Sequence, residues 1–177
     1  RNSKRAGLDV AVWNRTHATA LPLTEDGVTV FENAQDAVRD RDVIVSVLSD
    51  AQVTLAVIEP LPADLAAGAV WIQSATIGID GTERAAALAA AAGVSFVDAP
   101  VSGTKTPAER GELVMLASGD QAAAEFAAPF LDAVGAKKPG DTVTLTITRS
   151  DETKPVLVDV TLGENPDKAG KAYLGVS

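Results

Sequence analysis

The sequence predicts an α/β fold, a doubly wound and mostly parallel sheet over residues 1–135, followed by an antiparallel β-hairpin tail over residues 136–177. Three observations carry that reading. Short β-rich runs alternate with helical runs from Leu8 to about Val134. Most of those runs are apolar on both faces, as strands buried between two helical layers must be. After Gly135 the pattern changes to strict apolar–polar alternation, the mark of a half-buried antiparallel pair.

The strand-like runs, in order, are "DVAVW", "VTVF", "VIVSVL", "VWIQS", "VSFVD" and "ELVMLA". Asp80 followed by Glu83 has the spacing of a capping box, and "RAAALAAAAG" then predicts a helix that stops at Gly93. Asp120 starts another helix, with Ala123, Phe126, Ala127, Phe130, Leu131 and Val134 on one buried face. Pro129 should kink that helix or divide it into two shorter ones, because it cannot donate to the preceding turn, and Gly135 ends it. "KKPGD" is a turn. Beyond it Val143, Leu145 and Ile147 share one face of "TVTLTITRS", opposite Thr142, Thr144, Thr146 and Thr148. Val156, Val158, Val160 and Leu162 do the same in "PVLVDVTL", so the two runs form a hairpin joined near "DETK". "GENPDKAG" reads as a loop and "AYLGVS" as another short strand. Two strands alone are marginal in water, so the tail is expected to pack on the first domain, to pack on another chain, or to stay loose.

Composition narrows the chemistry. The 177 residues are 46% hydrophobic and 22% charged, the mix of a globular protein. No apolar run reaches the length of a membrane span, and no signal peptide is expected. Cysteine is absent, which excludes disulfides, thiolate catalysis and Cys-based metal sites. The single histidine, His17, reads as an exposed loop residue. A net charge of −9 without a basic cluster argues against nucleic acid as a partner.

The run "VWNRT" ends a strand in Asn14, Arg15 and Thr16. At this strand tip in a dinucleotide-binding sheet an acid selects NAD, whereas a guanidinium attracts the 2′-phosphate of NADP. Three further loops stand at the carboxyl ends of strands, where doubly wound sheets bind ligands: "VLSD", "SATIGIDGTE" and "VDAPVSGTKTPAERGEL". Asp98 ends its strand and suits either a loop cap or a ligand contact.

Together, "VWNRT", "VLSD", "WIQSATIGIDGTERAAALA", "GVSFVDAPVSGTKTPAERGELVMLASG" and "FLDAVG" resemble the NADP-binding, Rossmann-like domain of the β-hydroxyacid dehydrogenases. That family includes 3-hydroxyisobutyrate and 6-phosphogluconate dehydrogenases, and the resemblance covers about residues 2–135. It implies an oxidoreductase that takes hydride from the CH–OH of a small hydroxy acid, with NADP as cofactor, in the cytoplasm. It implies that Asn14, Arg15 and Thr16 hold the 2′-phosphate, that Leu48 and Ser49 line the cofactor, and that Thr76 lies near the nicotinamide ribose. Ser102, Gly103 and Thr104 would bind the substrate carboxylate, with Thr104 standing where the family more often has a second glycine.

Two parts of the family pattern are missing. No G-x-G-x-x-G loop stands before Leu8, and no G-x-G-x-x-x-K-x-x-x-N stretch, which carries the family's catalytic lysine, follows Gly135. Arg1 therefore reads as a cut end, the sheet as incomplete, and the chain as a fragment inactive on its own. Residues 138–177 resemble the last strands of a bacterial PDZ domain, without its carboxylate-binding loop. The alternative function is a non-catalytic module that pairs through this β-tail, as in a homo-oligomer.

Overall fold

The computed structural model describes residues 1–61, 64–135, 140, 142–147, 156–161, 163–165 and 168–173. They fall in two compact units, Arg1–Gly135 and Ala136–Ser177. The first unit opens with α1 (Asn2–Arg5), β1 (Ala11–Trp13), α2 (His17–Ala20), a 3-10 turn (Leu21–Asp26), β2 (Thr29–Phe31) and α3 (Ala34–Val38). It continues with β3 (Val43–Ser46), α4 (Ala51–Ile58), β4 (Val70–Gln73), α5 (Gly78–Ala91) and β5 (Ser95–Asp98). It closes with β6 (Val101–Ser102), α6 (Lys105–Arg110), β7 (Val114–Met115), β8 (Ser118–Gly119), α7 (Gln121–Phe126) and α8 (Ala128–Val134).

The sheet is mostly parallel, in a Rossmann-like α/β arrangement. Strands β3, β4 and β5 run parallel with helical crossovers, and β8 adds an antiparallel edge on β5. Strands β1 and β2 form their own parallel ladder, and β6 and β7 a short antiparallel one. Arg41, just before β3, reaches Asp9, just before β1, at 2.7 Å, so the starts of the two parallel ladders are tied by an ion pair.

Every residue of β4 is buried, and alternation divides its side chains between two cores. Trp71 faces Leu55, Ile58, Ala85 and Ala89 of α4 and α5 and meets Phe96 edge-on, with ring centroids 5.1 Å apart. Val70 and Ile72 face Val97, Ala99, Ala123 and Ala127, under α7. Helices α4 and α5 approach closely because residue 81 is glycine: a Cβ there would stand 2.9 Å from that of Ala51. No described helix is long and apolar enough to cross a membrane.

Several local expectations are corrected. Helix α5 starts at Gly78 with Ile77 as its N-cap and no side-chain cap bond, so Asp80 and Glu83 make no capping box. Because the helix begins two residues before Asp80, that carboxylate lies inside the first turn, where it favours the positive end of the helix dipole. Asp120 does cap α7, accepting from the Ala123 N–H at 2.8 Å, and Pro129 starts a separate helix, α8. That division leaves Phe126 at the end of α7 and 55% exposed, instead of on the buried face with Ala123 and Ala127. His17 opens α2 half-buried, and its Nδ1 is enclosed without a hydrogen-bond partner among the described residues.

In the second unit β9 (Thr142–Ile147) pairs antiparallel with β10 (Val156–Thr161), and the register sets Val143, Leu145 and Ile147 opposite Val160, Val158 and Val156. The "DETK" connection and Leu162 lie outside the described residues. Strand β11 (Gly163–Asn165) pairs antiparallel with β12 (Lys168–Tyr173). Parts of "GENPDKAG" are therefore strand, and the last strand begins at Lys168, ahead of "AYLGVS".

The double burial of β4 makes Ile72, 0% exposed, a sensitive position. Ile72→Ala is expected to destabilise the fold by about 2–5 kcal/mol in urea unfolding, and a loss under ~1 kcal/mol would contradict this packing.

Candidate functional site

The ladder sets the last residues of three adjacent strands side by side, Ser46 opposite Gln73 and Gln73 opposite Asp98. Each run turns polar where the strand ends, and the three side chains form a row across the carboxyl edge. Trp71 Nε1 donates to Ser46 Oγ at 2.8 Å, and Ser46 Oγ lies 3.5 Å from Gln73 Oε1. Gln73 is 0% exposed, so its amide must find partners inside the protein. Its Oε1 accepts from the Ala75 N–H at 2.9 Å. Its Nε2 donates to the Ala75 carbonyl and, at 3.4 Å, to Asp98 Oδ1. One side chain thus holds both backbone groups of Ala75 and sets the direction in which the chain leaves β4.

That exit presents Thr76. Together with Ala75, Ile77, Gly78, Ile79, Thr82, Glu83, Asp98 and Pro100 it lines an open cleft of about 350 Å³. Burial pushes the Asp98 carboxyl above its ordinary range, with the Gln73 hydrogen bond pulling the other way.

Of the nine residues given cofactor or substrate roles, Thr76 lines this cleft, and so does Asp98, which the sequence left open between a loop cap and a ligand contact. Asn14, Arg15 and Thr16 are exposed at the end of β1, where Asn14 Oδ1 accepts from the Thr16 N–H at 2.9 Å and closes a small turn. Arg15 makes no ion pair among the described residues. Leu48 is half-buried after β3. Ser49 donates to Asp50 Oδ2 at 2.7 Å. Asp50 caps α4, and the N–H of Val53 and the Ser49 hydroxyl hold its carboxyl below the ordinary range. Ser102 ends β6, Gly103 has a φ of +138°, and Thr104 is the N-cap of α6 without using its side chain as a cap. The φ of +138° is strained for any residue with a side chain, so this turn favours glycine.

Gln73 was not among the residues singled out from the sequence. Its signal was an amide ending the otherwise apolar run "VWI", at a point where the strand is still buried.

Comparison with known proteins shows the family. Residues 1–148 match the family described as the NAD binding domain of 6-phosphogluconate dehydrogenase. The chain belongs to this family. The matched stretch of this NAD-binding domain runs past Gly135 into β9. The chain is 31% identical over 141 residues to glyoxylate/succinic semialdehyde reductase 2, chloroplastic, of Arabidopsis thaliana, covering 78% of this chain and 39% of that protein. It is 30% identical over 137 residues to the NAD-dependent L-serine dehydrogenase of Pseudomonas aeruginosa, covering 76% of this chain and 46% of that one. A solved structure of Mycobacterium tuberculosis 3-hydroxyisobutyrate dehydrogenase with L-serine superposes with a TM-score of 0.73 at 28% identity, over 76% of this chain and 46% of that one. The chain spans less than half the length of each of these relatives.

Within this NAD-binding domain the Gln73 clamp is expected to matter for stability. Gln73→Leu leaves both backbone groups of Ala75 without their partners and should cost about 1–3 kcal/mol in urea unfolding; an unchanged midpoint would refute the clamp. Asp98 has a second, pH-dependent signature. Its folded-state pKa is raised, so its favourable contribution is complete below the unfolded value and is lost as pH rises through the folded one. Asp98→Asn is therefore expected to raise Tm at about pH 7 relative to its effect at about pH 3, measured by circular dichroism.

Proposed function

We propose that the chain is the nucleotide-binding part of an NADP-dependent oxidoreductase of the β-hydroxyacid dehydrogenase type, taking hydride from the CH–OH of a small hydroxy acid. The observation that carries the reading is the polar row Ser46–Gln73–Asp98 at the carboxyl ends of three parallel strands, opening on the Thr76 cleft. In this reading the Thr76 cleft takes the nicotinamide end, while Leu48 and Ser49 line the path of the cofactor. When bound, the nucleotide supplies the hydride acceptor.

NADP is preferred to NAD in this reading because Arg15, exposed and without an ion pair among the described residues, can meet a 2′-phosphate. Asn14 shapes the turn that offers it, through its bond to the Thr16 N–H. Ser102, Gly103 and Thr104 form the substrate end: Gly103 brings the backbone close, and the Thr104 hydroxyl is not spent on its own helix. Hydroxyls and backbone N–H groups there suit a carboxylate. No lysine stands in the G-x-G-x-x-x-K-x-x-x-N setting that carries the general acid/base of the resembled family, so the chain by itself is read as turning over little.

Calorimetric titration with NADPH and NADH tests this reading. The chain should bind NADPH more tightly than NADH, and Arg15→Ala should weaken NADPH by about tenfold while sparing NADH. Equal affinities would overturn the NADP assignment, and heat-silent titrations with both would overturn the nucleotide site. Reduction of NADP with 3-hydroxyisobutyrate by the chain alone would overturn the claim of low turnover.

A further inference from the structure

The Thr76 cleft has an electrostatic asymmetry that the reading above does not use. Its walls carry two carboxylates, Asp98 and Glu83, and no lysine or arginine. The two acids differ in setting. Glu83 is exposed on α5, where water and salt screen it. Asp98 is half-buried at the end of β5, beside Pro100 and the apolar Ile77 and Ile79, and the Gln73 Nε2 holds one of its oxygens at 3.4 Å. A fixed charge against apolar walls acts on its neighbours more strongly than the same charge in water.

We infer that Asp98, held at the cleft wall by Gln73, determines which redox state of the nicotinamide the protein prefers. The inference rests on the nucleotide reading above. The oxidised ring carries a positive charge and the reduced ring is neutral. A carboxylate beside the ring stabilises the first and gains nothing from the second. When hydride passes from the substrate carbon to the ring, the ring's positive charge is neutralised, the attraction to Asp98 is lost, and the reduced nucleotide is held less tightly. Asp98 thereby biases the bound equilibrium against the reduced nucleotide and favours its release. Gln73 acts as a positioning residue, because its amide cannot rotate without breaking its bonds to both backbone groups of Ala75.

The test is a pair of calorimetric titrations, NADP+ and NADPH, on the whole chain and on Asp98→Asn and Glu83→Gln. Asparagine keeps the shape of Asp98 and an acceptor for Gln73 while removing the charge, and its melting curve shows that the variant folds. The unchanged chain is expected to prefer NADP+, Asp98→Asn to cut that preference by about fivefold, and Glu83→Gln to change it by less than about twofold. A merely structural role for Asp98 would shift both nucleotides together and leave the ratio where it was. An unchanged ratio in Asp98→Asn, with both nucleotides still bound, overturns this inference and leaves the nucleotide reading standing. Equal effects from Asp98→Asn and Glu83→Gln overturn the special role of Asp98. Failure of the unchanged chain to bind either nucleotide overturns the inference together with the reading it rests on.

Discussion

The burial of β4 on both faces is the constraint from which the rest of the first unit follows. Trp71 demands a core on one side, and Val70 with Ile72 demands another on the other side. Two helical layers satisfy both, and parallel neighbours joined by helical crossovers put the layers there. Burial then persists to the last residue of the strand, where Gln73 is fully enclosed. A buried amide has two donors and two acceptor sites to satisfy, and Gln73 finds them in Ser46, Asp98 and Ala75. The bond to Ala75 shapes the loop, and the loop carries Thr76. The packing of the core and the geometry of the cleft are therefore parts of one arrangement, linked through a single side chain.

The charges of the unit are arranged with the same economy. Arg39 and Arg41 spend their guanidinium groups on Asp36, Asp64 and Asp9, and Arg1 spends its own on Asp26. Such exposed pairs add little to stability, about 0–1 kcal/mol each. Arg15, exposed at a strand tip, makes no ion pair among the described residues, in a chain whose net charge is −9. The Thr76 cleft carries carboxylates and no cation. A ligand that is anionic at one end and cationic at the other matches this distribution better than a uniformly charged one.

The strands and their parallel order were legible because periodicity reports burial, and burial decides strand class. The division of the last helices at Pro129 was legible for a local reason, the missing N–H of proline. What failed were features set by context. Asp80 and Glu83 have capping-box spacing, but the helix starts at Gly78, and spacing does not say where a helix begins. Phe126 fits the apolar stripe, yet the helix ends on it and leaves it exposed. At the site, Thr76 stood out because it follows a strand, and Asp98 was open between two roles. Gln73 went unread because its partners are the backbone groups of Ala75 and a side chain 25 positions away, neither of which sequence pattern can supply. In the tail, alternation identified the pairing of β9 with β10, while β11 and the start of β12 carry too little alternation to be read as strands.

The loop after β6 shows how backbone geometry decides which positions of a motif can vary. Gly103 has a φ of +138°, where a side chain is strained, and a Cβ would meet Leu113 at 2.8 Å. The positive φ is what favours glycine here, since the Leu113 methyl can shift. Thr104 has a φ of −109° and a ψ of −170°, extended backbone that suits a β-branched residue. Replacing a second glycine by threonine at this position therefore costs the turn nothing, and it adds a hydroxyl next to Ser102. The loop keeps the one glycine its geometry favours, and in "VSGT" the second position of a two-glycine motif has backbone that accepts a side chain.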